Sequence, residues 1–481
     1  MRLINTQTLT LHDFTTSPKI PTLHDFTTSP KIPKYAILSH RWTDEELTYK
    51  EFSKHRSKDK KGYRKIVDFC EFLRKWEREW CWVDTVCIDK RSSAELSEAI
   101  NSMFKWYGAA AECWVWLHDV SESNNEGAGE DLLHQFGESS WFRRGWTLQE
   151  LLAPEQVIFC SHEWQILGCK QPSDAQKYGL TPSGKRDAGT ELRDRIQEAA
   201  CWSSDIILWA ISDRTGIPSE VLRQPHRVKY YSVAQRMSWA SSRQTTRVED
   251  QAYCLLGLFR INMPLLYGEG RRAFQRLQQE IIRSSHDESI YAWTANNSEQ
   301  DWAWLKDQSA FPILARSPQD FAGSRDIVRT LGVQRSPWTV THHGLEVPLV
   351  PDNVTGTIEL PGFNVTESNS ALESMVVGTQ DTVALSFPLA CKRERGADSM
   401  PCKLVITRLR CSHWGRLITD NMIGHRPASW IPATIKFDRQ KIYIHIDGCE
   451  DFDAMLWSDS TPRALERSGH TNSFKRVKLE D

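Results

Sequence analysis

The chain has 481 residues with 60 Lys+Arg against 62 Asp+Glu, a formal charge of −2. That length excludes a single small module, and the balanced charge excludes the basic excess on which non-specific nucleic-acid binding depends. A 40% hydrophobic fraction is that of a globular protein. No apolar run of about 18 residues is present to cross a bilayer. The N-terminus lacks the apolar stretch of a secretory signal, so the 12 cysteines are expected as reduced thiols in a cytoplasmic protein. Their spacing holds no C-x2-C pair, so no metal site is expected.

In chain order, the first feature is a perfect duplication, TLHDFTTSPKIP at Thr10–Pro21 and again at Thr22–Pro33. Its Ser-Pro and Ile-Pro steps exclude helix. The expectation is a looped segment over residues 1–34, ahead of a sheet that begins only at Tyr35. From there, Tyr35–Ser39, Trp80–Asp84, Cys113–Leu117 and Gln156–Cys160 read as short apolar strands, and Gly62–Glu79 and Ser92–Ala110 as helices. Strands alternating with helices predict an α/β domain over 35–168 with a doubly wound parallel sheet. The stretch Lys50–Lys65 carries eight Lys/Arg and two acids, either a draw for an anionic partner or a solvated loop.

Residues 169–195 read as a linker rich in Lys, Asp, Gly, Ser and Pro, and 196–290 as a helical region. Within it Ala273, Phe274, Leu277, Ile281 and Ile282 recur near a 3.6-residue period. Short β-type runs such as Leu345–Val350 and Thr382–Phe387 predict a β-rich C-terminal domain over 291–470. The tail over 471–481 contains Phe474-Lys-Arg-Val-Lys-Leu479, which reads as a solvated terminus or as a short nuclear-localisation signal.

Ligands of a doubly wound sheet bind beyond the carboxyl ends of its strands, which places Ser39–Trp42 and Asp84–Asp89 on one rim. There Arg41 could bind a phosphate and Trp42 could stack on a base, with Ser39 beside them. Trp42 also reads as a packed rim aromatic. Asp84 and Asp89 could hold ribose hydroxyls or cap the next helix. Ser92-Ser-Ala-Glu95 fits a capping box. On a helix with Leu96, Ile100, Met103 and Tyr107 as its buried stripe, Glu98 points to solvent, while Glu95 flanks the core and can face a cleft. Arg144–Glu150 reads as a site or as a hydrogen-bonded network at the sheet edge. Gly268-Glu-Gly270 reads as a turn before a helix, not as a dinucleotide fingerprint. Walker A, G-x-S-x-G, H-E-x-x-H and kinase motifs do not occur.

Four clusters, Ser39-His-Arg-Trp42, Trp82-Val-Asp-Thr-Val-Cys-Ile-Asp89, Arg144-Gly-Trp-Thr-Leu-Gln-Glu150 and Tyr267-Gly-Glu-Gly270, resemble in this order the fungal heterokaryon-incompatibility (HET) domain. Val233–Ser241 through Thr246–Asp250 to Glu280 is similar to the segment that follows this domain in many vegetative-incompatibility proteins. The resemblance implies a non-self-recognition effector of innate-immunity type that triggers cell death. It also implies a fold similar to the Toll/interleukin-receptor (TIR) domain, some of whose members cleave NAD. NAD would then be substrate rather than cofactor, and Glu95 the carboxylate that steadies an oxocarbenium-like sugar. The alternative is a non-enzymatic module that signals by self-association with an incompatibility partner, with Glu95 only a cap.

Overall fold

The computed structural model describes residues 1–14, 32–121, 128–171, 188–293 and 314–330, together with strands between 339 and 444. It divides into two compact units. The first comprises Met1–Tyr230 with Arg243–Gly270, the second Tyr231–Ser242 with Arg271–Asp481.

The first unit is built on a seven-stranded mixed sheet. Its strands are β1 (Arg2–Asn5), β2 (Leu11–Asp13), β3 (Ala36–His40), β4 (Trp80–Trp82), β5 (Glu112–Trp116), β6 (Val157–Cys160) and β7 (Ile166–Lys170), in the order β2-β1-β4-β3-β5-β6-β7. The four central strands are parallel. All of β3 and β6 is buried, as a parallel sheet covered on both faces requires. Helices α1 (Tyr49–Ser53) and α2 (Lys61–Lys75) connect β3 to β4, and α3 (Asp84–Cys87) and α4 (Ser93–Ala109) connect β4 to β5. Helices α5 (Ala128–Glu138) and α6 (Thr147–Leu152) lead to β6. The chain leaves β3 toward β4 and then returns to its other flank with β5. The strand order therefore reverses at β3, where such sheets form a crevice.

Two expectations are corrected at the sheet edges. The sheet does not begin at Tyr35: β1 pairs antiparallel with β4 and buries Leu3 and Ile4 completely. Four residues are too short to carry a periodic signal, and the strand is defined by the slot beside β4. At the other edge β7 turns back antiparallel on β6 and occupies the start of the expected linker. The sheet is thus parallel at its centre and antiparallel at both edges.

The first copy of the duplication supplies β2. Leu11, His12 and Asp13 pair with Ile4, Leu3 and Arg2, and the His12 and Phe14 rings meet the Trp80 ring edge-on. Most of the second copy lies outside the described residues. Deleting either copy yields the same sequence, so a one-copy protein retains β2 and its melting temperature should stay within about 2–4 °C of the parent, the shift that roughly 1 kcal/mol produces in a domain of this size. Deleting both copies should lower it beyond that, and differential scanning calorimetry on the two deletions checks the difference.

In the second unit the helix Arg272–Ser284 buries Ala273, Phe274, Leu277, Ile281 and Ile282, the five residues of its 3.6-residue pattern. The strands Thr382–Arg395 and Asp398–Arg408 pair antiparallel, and Gly344–Pro348 pairs with Lys441–Ile444. Much of 291–470, and all of the basic tail, falls outside the described residues.

Candidate functional site

The carboxyl ends of β3 and β4 converge on Trp42. Its indole Nε1 donates to Asp84 Oδ2 at 2.8 Å. The Lys90 ammonium lies 3.5 Å from the centre of its ring and the Arg144 guanidinium 5.0 Å. Trp42 remains 40% exposed, with both cations lying over its ring. Arg41 is exposed beside it. Of the residues singled out in sequence, the fold joins Trp42 and Asp84 directly, one from the loop after β3 and one from the start of α3.

Beneath this rim lies a buried polar layer. The His40 side chain, at the end of β3, is 1% exposed, and its Nε2 stands 3.8 Å from Glu46 Oε2 and 4.0 Å from Asp84 Oδ1. Glu46 is fixed from below by Lys65 of α2 and from its own loop by the Thr43 amide and hydroxyl. Gly62 makes this arrangement compact, because a Cβ there would stand 2.6 Å from the Glu45 carbonyl and 3.0 Å from the Glu46 Cα. Burial pushes the His40 imidazole below its usual range, and the Lys65 charge adds to the effect. Burial alone would raise the Glu46 carboxyl, but His40 and Lys65 outweigh it and hold it well below the carboxylate range.

Ser39 sits deeper and is not open to a ligand. Its hydroxyl donates to Glu150 and accepts from Trp141 Nε1 at 2.8 Å, and it is fully buried. Burial pushes the Glu150 carboxyl up to about 7. The surrounding Arg144–Glu150 segment is tied down by Arg243, which donates to the Arg144 carbonyl and to Thr147 Oγ1, and by backbone bonds between Gln244 and both Arg143 and Gly145. This motif is mainly a hydrogen-bonded network that delivers one cation, Arg144, to the rim.

Glu95 and Asp89 stand apart from this group. Asp89 pairs with Arg91. Glu95 receives a two-pronged bond from Arg2 of β1, Nη1 to Oε1 at 2.5 Å and Nη2 to Oε2 at 2.8 Å, and Oε1 also accepts from the Asp89 amide at 2.7 Å. Its own amide donates to Ser92 Oγ, so half of the capping box forms, while the carboxylate reaches Asp89 instead of Ser92. Glu95 thereby ties α4 to the edge strand, with its side chain 28% exposed. Its partner could not be foreseen, because β1 was not expected in the sheet.

Sequence reading passed over His40, Glu46, Lys65 and Lys90. His40 lies inside the quoted Ser39-His-Arg-Trp42 cluster, and Lys65 closes the basic stretch, so signals existed for both. Glu46 and Lys90 carry no local signal. The Gly268–Gly270 turn is closed by Glu249, whose Oε1 accepts from both glycine amides, with φ of 106° and 60° at the two glycines.

Residues 35–136 match the family described as Heterokaryon incompatibility protein (HET). Residues 272–330 match a domain of unknown function, DUF8212. The chain is similar to Vegetative incompatibility protein HET-E-1 of Podospora anserina, with 41% identity over 251 residues that cover 51% of this chain and 16% of that protein. It therefore spans about a sixth of the length of the curated relative it matches. No solved structure matches it. No helix among the described residues is long and apolar enough to cross a membrane.

Proposed function

We propose that this chain, which carries a heterokaryon-incompatibility domain over residues 35–136, is an effector of fungal vegetative incompatibility whose domain cleaves the nicotinamide–ribose bond of NAD. The incompatibility role draws on the matched family and on the printed name of the similar Podospora protein. The observation that carries the chemistry is the rim around Trp42. The half-exposed indole offers a planar base a stacking partner once Lys90 swings off its ring, and Lys90 and Arg144, now over the ring, bring two positive charges to a pyrophosphate. Asp84, hydrogen-bonded to the same indole, supplies a fixed carboxylate. Nicotinamide departs neutral from a cationic ring, so no general acid is needed. One carboxylate that steadies the developing sugar cation serves, unlike the pair used by ordinary glycosidases.

In this reading Asp84 takes the electrostatic role and Glu95 a structural one. Purified protein, concentrated enough to self-associate, should release nicotinamide from NAD. Asp84→Asn keeps an oxygen for the Trp42 indole but removes the charge, and should abolish release per folded molecule. Glu95→Gln loses part of a charge-assisted bond set worth roughly 1.5–3 kcal/mol per bond. It should melt earlier yet retain nicotinamide release per folded molecule. If Glu95→Gln melts like the parent and is inactive, the sugar-stabilising role belongs to Glu95. If the parent releases no nicotinamide, the enzyme reading fails and signalling by self-association takes its place.

A further inference from the structure

We propose that His40 is the proton acceptor for the water that completes NAD cleavage, and that Glu46 and Asp84 hold this water against it; the assignment rests on the reading of the domain as an NAD-cleaving enzyme. Neither ring nitrogen of His40 has a hydrogen-bond partner, and neither does Glu46 Oε2, although all three are buried. Buried polar atoms without partners are uncommon. Two of them, His40 Nε2 and Glu46 Oε2, face each other beside Asp84 Oδ1 and mark the place of a small polar group. The separations of 3.8 and 4.0 Å from Nε2 to the two carboxylate oxygens are too long for direct bonds. They suit a single oxygen about 2.8 Å from each atom, donating to the carboxylates or the imidazole in turn. A water fits because the pocket is polar and supplies the two to four partners that a buried water needs.

Asp84 links this pocket to the rim. Its Oδ2 holds the Trp42 indole and its Oδ1 faces His40, so a water in the pocket lies one carboxylate away from a sugar held over Asp84. The charged groups that face the imidazole are Lys65 from α2, Glu46 from the loop after β3 and Asp84 from α3. Burial and Lys65 lower the imidazole below its usual range against the opposing pull of Glu46 and Asp84, which favours the neutral ring with a nitrogen lone pair to take a proton. In the reaction the C–N bond to nicotinamide breaks with its electron pair leaving on nicotinamide. The water oxygen bonds to the ribose carbon, and the water proton passes to His40 Nε2 and from there to solvent. One water is consumed and one proton released per NAD.

The test separates hydrolysis from base exchange. A free pyridine base attacks the sugar through a nitrogen that carries no proton, so its exchange into NAD needs no proton acceptor, whereas attack by water does. His40→Gln should therefore lose nicotinamide release into water by about 10²–10⁴-fold, the usual contribution of general-base catalysis, and continue to exchange a pyridine base. Hydrolysis at the parent rate, or loss of exchange in the same proportion by a variant that melts like the parent, overturns the assignment. Should His40→Gln not fold, the pH profile of the parent decides. Hydrolysis that falls with acidification through the depressed imidazole range while exchange stays level supports His40, and a parallel fall of both overturns it. A parent that neither hydrolyses nor exchanges NAD overturns the enzyme reading first and this assignment with it.

Discussion

Replacing Arg78 by Met is expected to destabilise the first unit by about 3–5 kcal/mol, the cost of leaving a buried charge without its partner. Glu112 opens β5 and is only 3% exposed. Its carboxylate is met by two donors of the Arg78 guanidinium, Nε to Oε2 at 2.8 Å and Nη2 to Oε1. A two-pronged arginine pair satisfies a carboxylate that neither water nor the strand ladder can reach. Methionine fills much of the same volume and leaves the charge stranded. Denaturant midpoints measure the loss. The double variant Arg78→Met/Glu112→Gln should recover a large part of it, because the amide carries no charge to strand. If the double variant is as unstable as the single one, packing rather than charge sets the cost.

Glu150→Gln is expected to act in the opposite direction, increasingly as pH rises from about 4.5 through 7. Burial raises the Glu150 carboxyl from 4.5 in an open chain to about 7 in the folded protein. The native state therefore holds its proton more tightly than the unfolded state. The stability this provides is fully present below about pH 4.5 and is lost as pH rises through 7, amounting to about 3 kcal/mol across the interval at 1.36 kcal/mol per pH unit. Glutamine keeps an acceptor for the Ser39 hydroxyl and never ionises. Parent and variant should have similar stability at pH 5 and diverge at pH 8, with the variant more stable. Thermal or urea unfolding at the two values measures this, and a difference independent of pH would show that the fold does not raise the Glu150 carboxyl above its open-chain value.

Several features of this domain were legible in the chain itself. The runs Tyr35–Ser39, Trp80–Asp84, Cys113–Leu117 and Gln156–Cys160 became β3 to β6, because a strand buried on both faces needs an unbroken apolar run and leaves that mark in the sequence. The helix at Ser93–Ala109 followed from its cap and its periodic stripe, with Glu98 exposed and Ile100, Met103 and Tyr107 buried. Placing Trp42 and Asp84 on a common rim followed from a rule about the ends of parallel strands. Local periodicity and strand direction suffice for such statements.

Contacts across long separations were not legible. Arg2 meets Glu95 across 93 residues, Arg78 meets Glu112 across 34 and Ser39 meets Glu150 across 111, and no local pattern ties these partners to one another. The partner of Glu95 is the first of these, and a carboxylate at a helix start reads equally as cap, catalyst or ion-pair partner from sequence. His40 shows the same limit most sharply. The chain shows a histidine between a strand and a tryptophan, and only the packing of α2, α3 and the loop carrying Glu46 around it buries both ring nitrogens without a protein partner. Sequence by itself determined the central strands and the rim at their carboxyl ends, because those depend on local period and direction. Tertiary structure alone decided which charges pair and which are buried without a partner, because burial and partnership are properties of residues brought together from distant parts of the chain.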